Sequence, residues 1–169
     1  MKLLLSHVPS PIGTISLVTD GEALCALEFQ DCEPRLHRSL RLHYGSYELA
    51  QIPDAGEPRR QLEAYFEGDM AGLDRLPVHT GGTEFQRSVW AALRLIPAGT
   101  TTTYGQLAVQ IGRAKAIRAV GHANGANPVS IVVPCHRVVG TDAKLTGYGG
   151  GIERKAWLIA HERRQVSAQ

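Results

Sequence analysis

The segment Asn127-Pro-Val-Ser-Ile-Val-Val-Pro-Cys-His-Arg-Val-Val-Gly140 holds an apolar, β-branched run, Ile131 to Val133, that is broken by Cys135, His136 and Arg137 and resumes at Val138 and Val139. Such a run belongs in a core. A core accepts a thiol, an imidazole and a guanidinium only where the fold brings partners to them. A histidine and a cation beside a cysteine are also the surroundings that favour a reactive thiolate. The competing reading is one more buried cysteine, since free Cys is among the most buried residue types. The polar neighbours weigh against it.

If residues 131–139 are extended, Cys135 and His136 point to opposite faces, because side chains alternate along a strand. The imidazole then reaches the sulfur only through a turn at Pro134 or a bridging water. A histidine acting as base also needs an orienting acceptor. The carboxylates of the second half are few: Glu84, Asp142, Glu153 and Glu162. Glu162 falls at the end of a helix predicted from Gly151 to Glu162. A carboxylate there opposes the helix dipole by roughly 0.3–1 kcal/mol, which favours a specific partner over a free surface position.

The 169 residues, 43% of them hydrophobic, are enough for one domain or two small ones. No apolar stretch has the length of a membrane span, and Met1-Lys-Leu-Leu-Leu-Ser6 is too short for a signal-peptide core. The expected location is the cytoplasm. Cys25, Cys32 and Cys135 form an odd set without a Cys-x-x-Cys pair, which fits a reducing compartment and no disulfide framework. The net charge of +2 conceals a division. Residues 1–80 carry 7 Lys/Arg and 12 Asp/Glu, whereas residues 81–169 carry 11 and 4. A basic second half, with Arg113, Lys115 and Arg118 clustered, points to a polyanion such as nucleic acid.

Residues 1–80 read as an N-terminal α/β structural domain. Thr14 to Thr19 and Ala23 to Phe29 alternate around Asp20-Gly21, the signature of a β-hairpin. One helix carries Leu36 and Leu40, a second runs from Pro58 to the stop at Gly68, and Leu73 to Val78 is predicted as a third strand. Gly81-Gly82 marks the domain boundary. In residues 81–169, Thr83-Glu-Phe-Gln86 and Thr103-Tyr-Gly-Gln106 are capping-box patterns that each begin a helix. Ala114 to Asn124 makes the next, so two short helices joined by a turn at Gly112 form a helix-turn-helix signature. A plain helical hairpin is the alternative.

The last of these helices is built from small residues, Ala114, Ala116, Ala119, Gly121 and Ala123, with Arg118 projecting. It is poor in side chains that read base edges in the major groove. It suits close approach to a minor groove with one inserted side chain and little sequence dependence.

Pro134-Cys-His-Arg-Val138, with Arg118-Ala-Val-Gly before it, Asn127-Pro128 between and Gly147-Tyr-Gly-Gly after it, resembles the O6-alkylguanine-DNA alkyltransferases of the bacterial single-chain type. The resemblance spans essentially the whole chain, weakly in residues 1–80 and densely from Gly82 to Glu162. It implies an α+β protein. The N-terminal domain would hold a small antiparallel, RNase H-like sheet. The C-terminal domain would be mostly helical, with a winged-helix-like helix-turn-helix DNA-binding unit.

The resemblance further implies a protein that repairs DNA by direct reversal. Cys135 would accept the alkyl group from O6 of guanine irreversibly, once per molecule, with O4-alkylthymine as a second candidate substrate. His136 would act on Cys135 through a water, oriented by Glu162. Tyr104 would help rotate the target nucleotide and donate toward the leaving guanine, and Arg118 would fill the vacated stack. Asn127 would orient Tyr104 and the Cys135 segment. Lys115, Ala119 and Gly121 would lie against DNA. Pro134, Val138, Tyr148 and Gly149 would line the pocket for the flipped base. A base inside a duplex must leave the stack to be reached, at a cost of a few kcal/mol.

The expected partner is double-stranded DNA carrying O6-alkylguanine, bound by a monomer, with no membrane and no cofactor. Arg137 reads as a structural ion pair, and His122 and Asn124 are left with DNA contact as their role. Some family members hold zinc in the N-terminal half. Here Cys25, Cys32, His7, His37, His43 and His79 show no compact ligand spacing, so no metal is predicted. The zinc-binding regulatory module of some bacterial relatives, and a transcriptional role with it, is not expected. Ala156 stands where a glutamate is common, and Ala126 leaves the segment before Asn127 without a cation. Two other functions compete: a non-enzymatic module that recognises alkylated DNA, and a thiol hydrolase using Cys135 and His136.

Overall fold

In the computed structural model, which describes residues 1–169, the chain divides into two compact units. The first comprises Met1–Gly82 and Pro128–Val132, and the second Thr83–Asn127 and Val133–Gln169.

The first unit is built on a four-stranded sheet. β1 (Lys2–Val8) pairs antiparallel with β2 (Ile15–Thr19), which pairs antiparallel with β3 (Leu24–Phe29). The hairpin turn is made by Asp20-Gly21. The Asp20 carboxylate accepts from the amides of Glu22 and Ala23, and Gly21 adopts a φ of 101° that a side chain would strain. α1 (Glu33–Tyr44) starts with Pro34 in its first turn and turns Leu36 and Leu40 inward. These two leucines pack with Leu3, Val18, Cys25 and Ala26 in one core cluster. β4 (Glu48–Gln51) then joins β1 in parallel, giving the order β3-β2-β1-β4. α2 (Glu57–Glu67) ends at Gly68 in the left-handed region.

Two expectations change here. Leu73 to Val78 is not a third strand: Ala71–Arg75 forms a 3-10 helix, and Val78 alone bridges Leu24. β1 and β4 were not anticipated, because β1 opens on a leucine run without alternation and β4 is short.

The segment Pro128–Val132 lies on β3. Leu27 donates its amide to the Pro128 carbonyl and accepts from Ser130. Ile131 adopts a φ of 73°, and the Val132 amide bonds the Ser130 carbonyl across it at 2.9 Å, a γ-turn of the rare positive-φ kind. For a β-branched residue this conformation costs about 1–3 kcal/mol and persists only because the surroundings dictate it.

The second unit is mainly helical. α3 (Glu84–Leu93) and α4 (Tyr104–Gln110) each begin with a complete capping box, Thr83 with Gln86 and Thr103 with Gln106. Between them, β5 (Thr102–Thr103) pairs parallel with β6 (Val138–Val139). α5 (Ile117–Gly125) begins three residues later than the sequence implies, so Ala114 lies outside it and Ala116 is its N-cap. α6 runs from Ile152 to Ser167, past Glu162. The dipole argument for Glu162 therefore fails, since that residue sits before the last turn rather than at the end.

Candidate active site

Pro134 sets the local geometry around the cysteine. Its φ of −82° and ψ of 66° make an inverse γ-turn, in which the Cys135 amide donates to the Val133 carbonyl at 2.8 Å. Cys135–Arg137 then forms one turn of 3-10 helix before β6. The segment is thus not extended through residues 131–139, and the alternation argument about opposite faces loses its premise. The fold does supply a turn at Pro134, one of the two features that argument allowed.

All three polar residues are buried, and one carboxylate serves two of them. His136 Nε2 lies 2.7 Å from Glu162 Oε1. Arg137 Nε and Nη2 donate to the same carboxylate at 3.0 and 2.8 Å, and Nη1 donates to the Ile96 carbonyl at 2.6 Å. Arg137 is therefore a structural cation whose partner is Glu162. Burial works against the Glu162 charge, but His136 and Arg137 outweigh it and hold the carboxyl far below the usual carboxylate range. Burial pushes the His136 imidazole below its ordinary value, with Glu162 pulling the other way. A neutral imidazole facing an ionised carboxylate donates from Nε2, which leaves the lone pair on Nδ1. That is the state a base requires.

The supporting amides come from α5 and from Asn127, two residues past its end. Asn127 Nδ2 donates to the Val133 carbonyl at 2.7 Å, and Asn124 Nδ2 reaches the Cys135 carbonyl at 3.4 Å. Asn124 is buried, so it does not serve as a DNA contact. His122, one of the residues assigned only to DNA, is exposed, as are Lys115, Arg118 and Ala119, while Gly121 is half-buried. The exposed side of α5 thus presents one guanidinium among small residues, Ile117 and His122.

Tyr104, at the first position of α4, pairs its hydroxyl with Thr146 Oγ1 at 2.8 Å. Pro134 and Val138 are buried, Tyr148 is half-buried and Gly149 exposed, with the amide of Gly151 bonded to the Tyr148 carbonyl. Two residues of this region went unnoticed in the sequence. Thr146 has no motif to announce it. Lys155 does: Lys155, Leu158, Ile159 and Glu162 recur at helical spacing on the buried side of α6, so two charges share an apolar stripe. The Lys155 ammonium donates to the Thr146 and Gly147 carbonyls at 3.4 Å. Burial pushes its pKa down, and the negative charge of an ionised Cys135 pulls it back up.

In the first unit, Asp20, Cys25 and His79 bring their ligand atoms within 4.8 Å of one another. Carboxylate, thiol and imidazole are a donor set that zinc accepts, so the residues fit the metal some family members hold. The prediction of no metal rested on linear spacing, which places His79 59 residues from Asp20. In this geometry Asp20 bonds His79 Nδ1 at 3.3 Å, and burial pushes the Cys25 thiol up.

The chain matches the family described as 6-O-methylguanine DNA methyltransferase twice, as its ribonuclease-like domain over residues 3–80 and its DNA binding domain over residues 84–164. It is 48% identical over 165 residues to the methylated-DNA–protein-cysteine methyltransferase of Salmonella typhimurium, covering 96% of both chains. It is 44% identical to the protein of that name from Mycolicibacterium paratuberculosis, covering 95% of this chain and 93% of the relative. Among solved structures, the Mycobacterium tuberculosis O6-methylguanine methyltransferase superposes with a TM-score of 0.80 at 39% identity, over 96% of this chain and 94% of that one. A Mycobacterium tuberculosis OGT in complex with DNA gives 0.81 at 39% identity over the same shares. These matches run through both units and include the Pro134-Cys-His-Arg137 segment: the chain belongs to the methylated-DNA–protein-cysteine methyltransferase family.

Proposed function

We propose that this protein repairs DNA by transferring a methyl group from O6 of guanine to Cys135, once and irreversibly. The observation that carries the reading is the buried His136–Glu162 pair at 2.7 Å on the residue that follows Cys135. His136 Nδ1 takes the thiol proton through a water. Sulfur attacks the methyl carbon, the carbon–oxygen bond breaks, and its electron pair passes to guanine O6. Glu162 stabilises the imidazolium, and Arg137 keeps Glu162 ionised and in place. The thiol proton finally resides on guanine, which leaves as the ordinary base, with Tyr104 positioned to donate toward it. A stable thioether remains, so the protein is consumed.

The exposed side of α5 supports minor-groove docking, with Ala119 and Gly121 permitting close approach, Lys115 near phosphate and Arg118 in the place of the extruded base. Tyr148, Gly149, Pro134 and Val138 belong to the pocket for that base. Asn127 holds the Val133 carbonyl and with it the start of the Cys135 turn. The two sequence halves act as a structural domain, residues 1–80, and a working domain, residues 81–169. No helix is long and apolar enough to cross a membrane. A cytoplasmic monomer without a cofactor completes the reading.

Duplex DNA containing O6-methylguanine tests it. Mass spectrometry of the peptide bearing Cys135 should show one methyl in place of one hydrogen, at no more than one equivalent per protein. Continued turnover points instead to a hydrolase. Undiminished transfer by Cys135→Ser would falsify the assignment.

A further inference from the structure

Two buried polar atoms beside the Cys135–His136 peptide have no hydrogen-bonding partner within the protein, Asn124 Oδ1 and His136 Nδ1. Both are acceptors. His136 donates from Nε2 to Glu162, which makes Nδ1 the lone-pair nitrogen. Asn124 Nδ2 donates to the Cys135 carbonyl, which fixes the amide so that Oδ1 is its free end. A buried acceptor without a donor costs about 1–3 kcal/mol, and two near one peptide are a site for a donor with two hydrogens. Water has that chemistry, and buried waters typically join about three otherwise unsatisfied groups.

We infer that Asn124 is a positioning residue for methyl transfer: its Oδ1 holds the water that carries the proton from Cys135 to His136. The inference rests on the alkyl-transfer reading above. The water donates one hydrogen to His136 Nδ1 and the other to Asn124 Oδ1, and its oxygen faces the Cys135 thiol. In the transfer, the S–H proton passes to the water oxygen while a water proton passes to Nδ1, so the water is regenerated. Asn124 is not consumed and gains no proton. Its amide does two things at once, gripping the cysteine carbonyl through Nδ2 and aiming the relay water through Oδ1. The charged groups facing His136 are Glu162, Arg137 and Lys155, and none of them supplies the missing acceptor at the water.

The test is a double-mutant cycle read by single-turnover transfer from a methylated duplex. Asn124→Ala should slow transfer by roughly tenfold to a hundredfold, part of the 10²–10⁴-fold that general-base catalysis contributes. In the His136→Ala background the same change should cost little more, because the water then has no base to serve. Asn124→Ser, equally short but with an oxygen, should lose less than Asn124→Ala. The Asn124→Ala deficit should also shrink at alkaline pH, where the thiol ionises without help. Duplex affinity and thermal unfolding of each variant establish that it is folded and binds. Additive losses, equal losses in Ala and Ser variants, or a deficit that is the same at every pH would overturn the inference. If the unsubstituted protein transfers no methyl group, the functional reading fails and the inference with it. If it transfers normally while the cycle is additive, only the role of Asn124 fails.

Discussion

Arg137 grips both oxygens of Glu162, at 2.8 and 3.0 Å, while the same carboxylate holds the His136 imidazole at 2.7 Å. The carboxylate is thus held by a guanidinium on one side and an imidazole on the other. Removing one member of a buried, hydrogen-bonded pair costs about 3–5 kcal/mol, because the remaining charge is stranded. Arg137→Met is expected to lower stability by that amount in denaturant unfolding. It should also slow methyl transfer, although Arg137 touches no reacting atom.

The buried pair fixes a pH dependence. His136 is held below its ordinary value of 6.5 in the folded state, so below pH 6.5 the unfolded chain binds a proton that the folded chain refuses. Stability is then fully present above that pH and declines as pH falls below it. Glu162, also depressed, adds a further loss once pH drops below its ordinary value of 4.5. Thermal unfolding between pH 8 and pH 4 checks both stages. His136→Gln should remove the first stage and leave the second reduced, because Arg137 alone then holds the Glu162 carboxyl down.

Lys155 is expected to separate activity from stability. Lys155→Met keeps the hydrocarbon stem and relieves the burial of an ammonium, so unfolding should be unaffected or shifted upward. Methyl transfer should slow by about tenfold or more, corresponding to about 1.4 kcal/mol of lost thiolate stabilisation. A variant that transfers at full rate would show that Lys155 serves only to tie the Thr146 and Gly147 carbonyls.

Arg118→Ala should act on the duplex rather than on the chemistry. Extrusion of a base costs a few kcal/mol, and in the proposed docking the exposed Arg118 guanidinium offsets it. Transfer from methylated duplex is expected to fall at least tenfold, while reaction with a free alkylated guanine base stays near that of the unsubstituted protein. Equal losses on both substrates would place Arg118 in the pocket instead.

Asp20, Cys25 and His79 are in the first unit, and none of them belongs to the Cys135 site. A chelator is therefore expected to leave methyl transfer unchanged. Calorimetric unfolding with and without zinc shows separately whether the three donors bind the metal.

The sequence carried the chemistry further than it carried the geometry. Cys135, His136 and Glu162 stand out by type and order, and the structure pairs His136 with Glu162, yet two of the supporting arguments fail. The strand across residues 131–139 gives way to turns because proline has no amide to donate and fixes φ, so Cys135 bonds back to Val133. The α6 stop at Glu162 fails because Arg163 to Ser167 continue as good helix without a glycine or proline to end it. Capping chemistry is local, and both Thr-x-x-Gln starts were legible for that reason. The convergence of Asp20 and His79, the bond from Tyr104 to Thr146 and the burial of Asn124 depend on contacts between distant segments. No local spacing encodes them.

Pro128–Val132 pairs with β3 through Leu27, whereas Asn127 and Val133 on either side of it belong to the other unit and are clasped by one amide at 2.7 Å. A scissile cut at Gly81-Gly82 would therefore not yield two self-sufficient pieces. The C-terminal fragment would leave with a strained, greasy loop whose backbone partners stay behind on Leu27. The N-terminal fragment would keep an open strand edge there. In modular terms the chain is interleaved, and Cys135 follows three residues after the stitch.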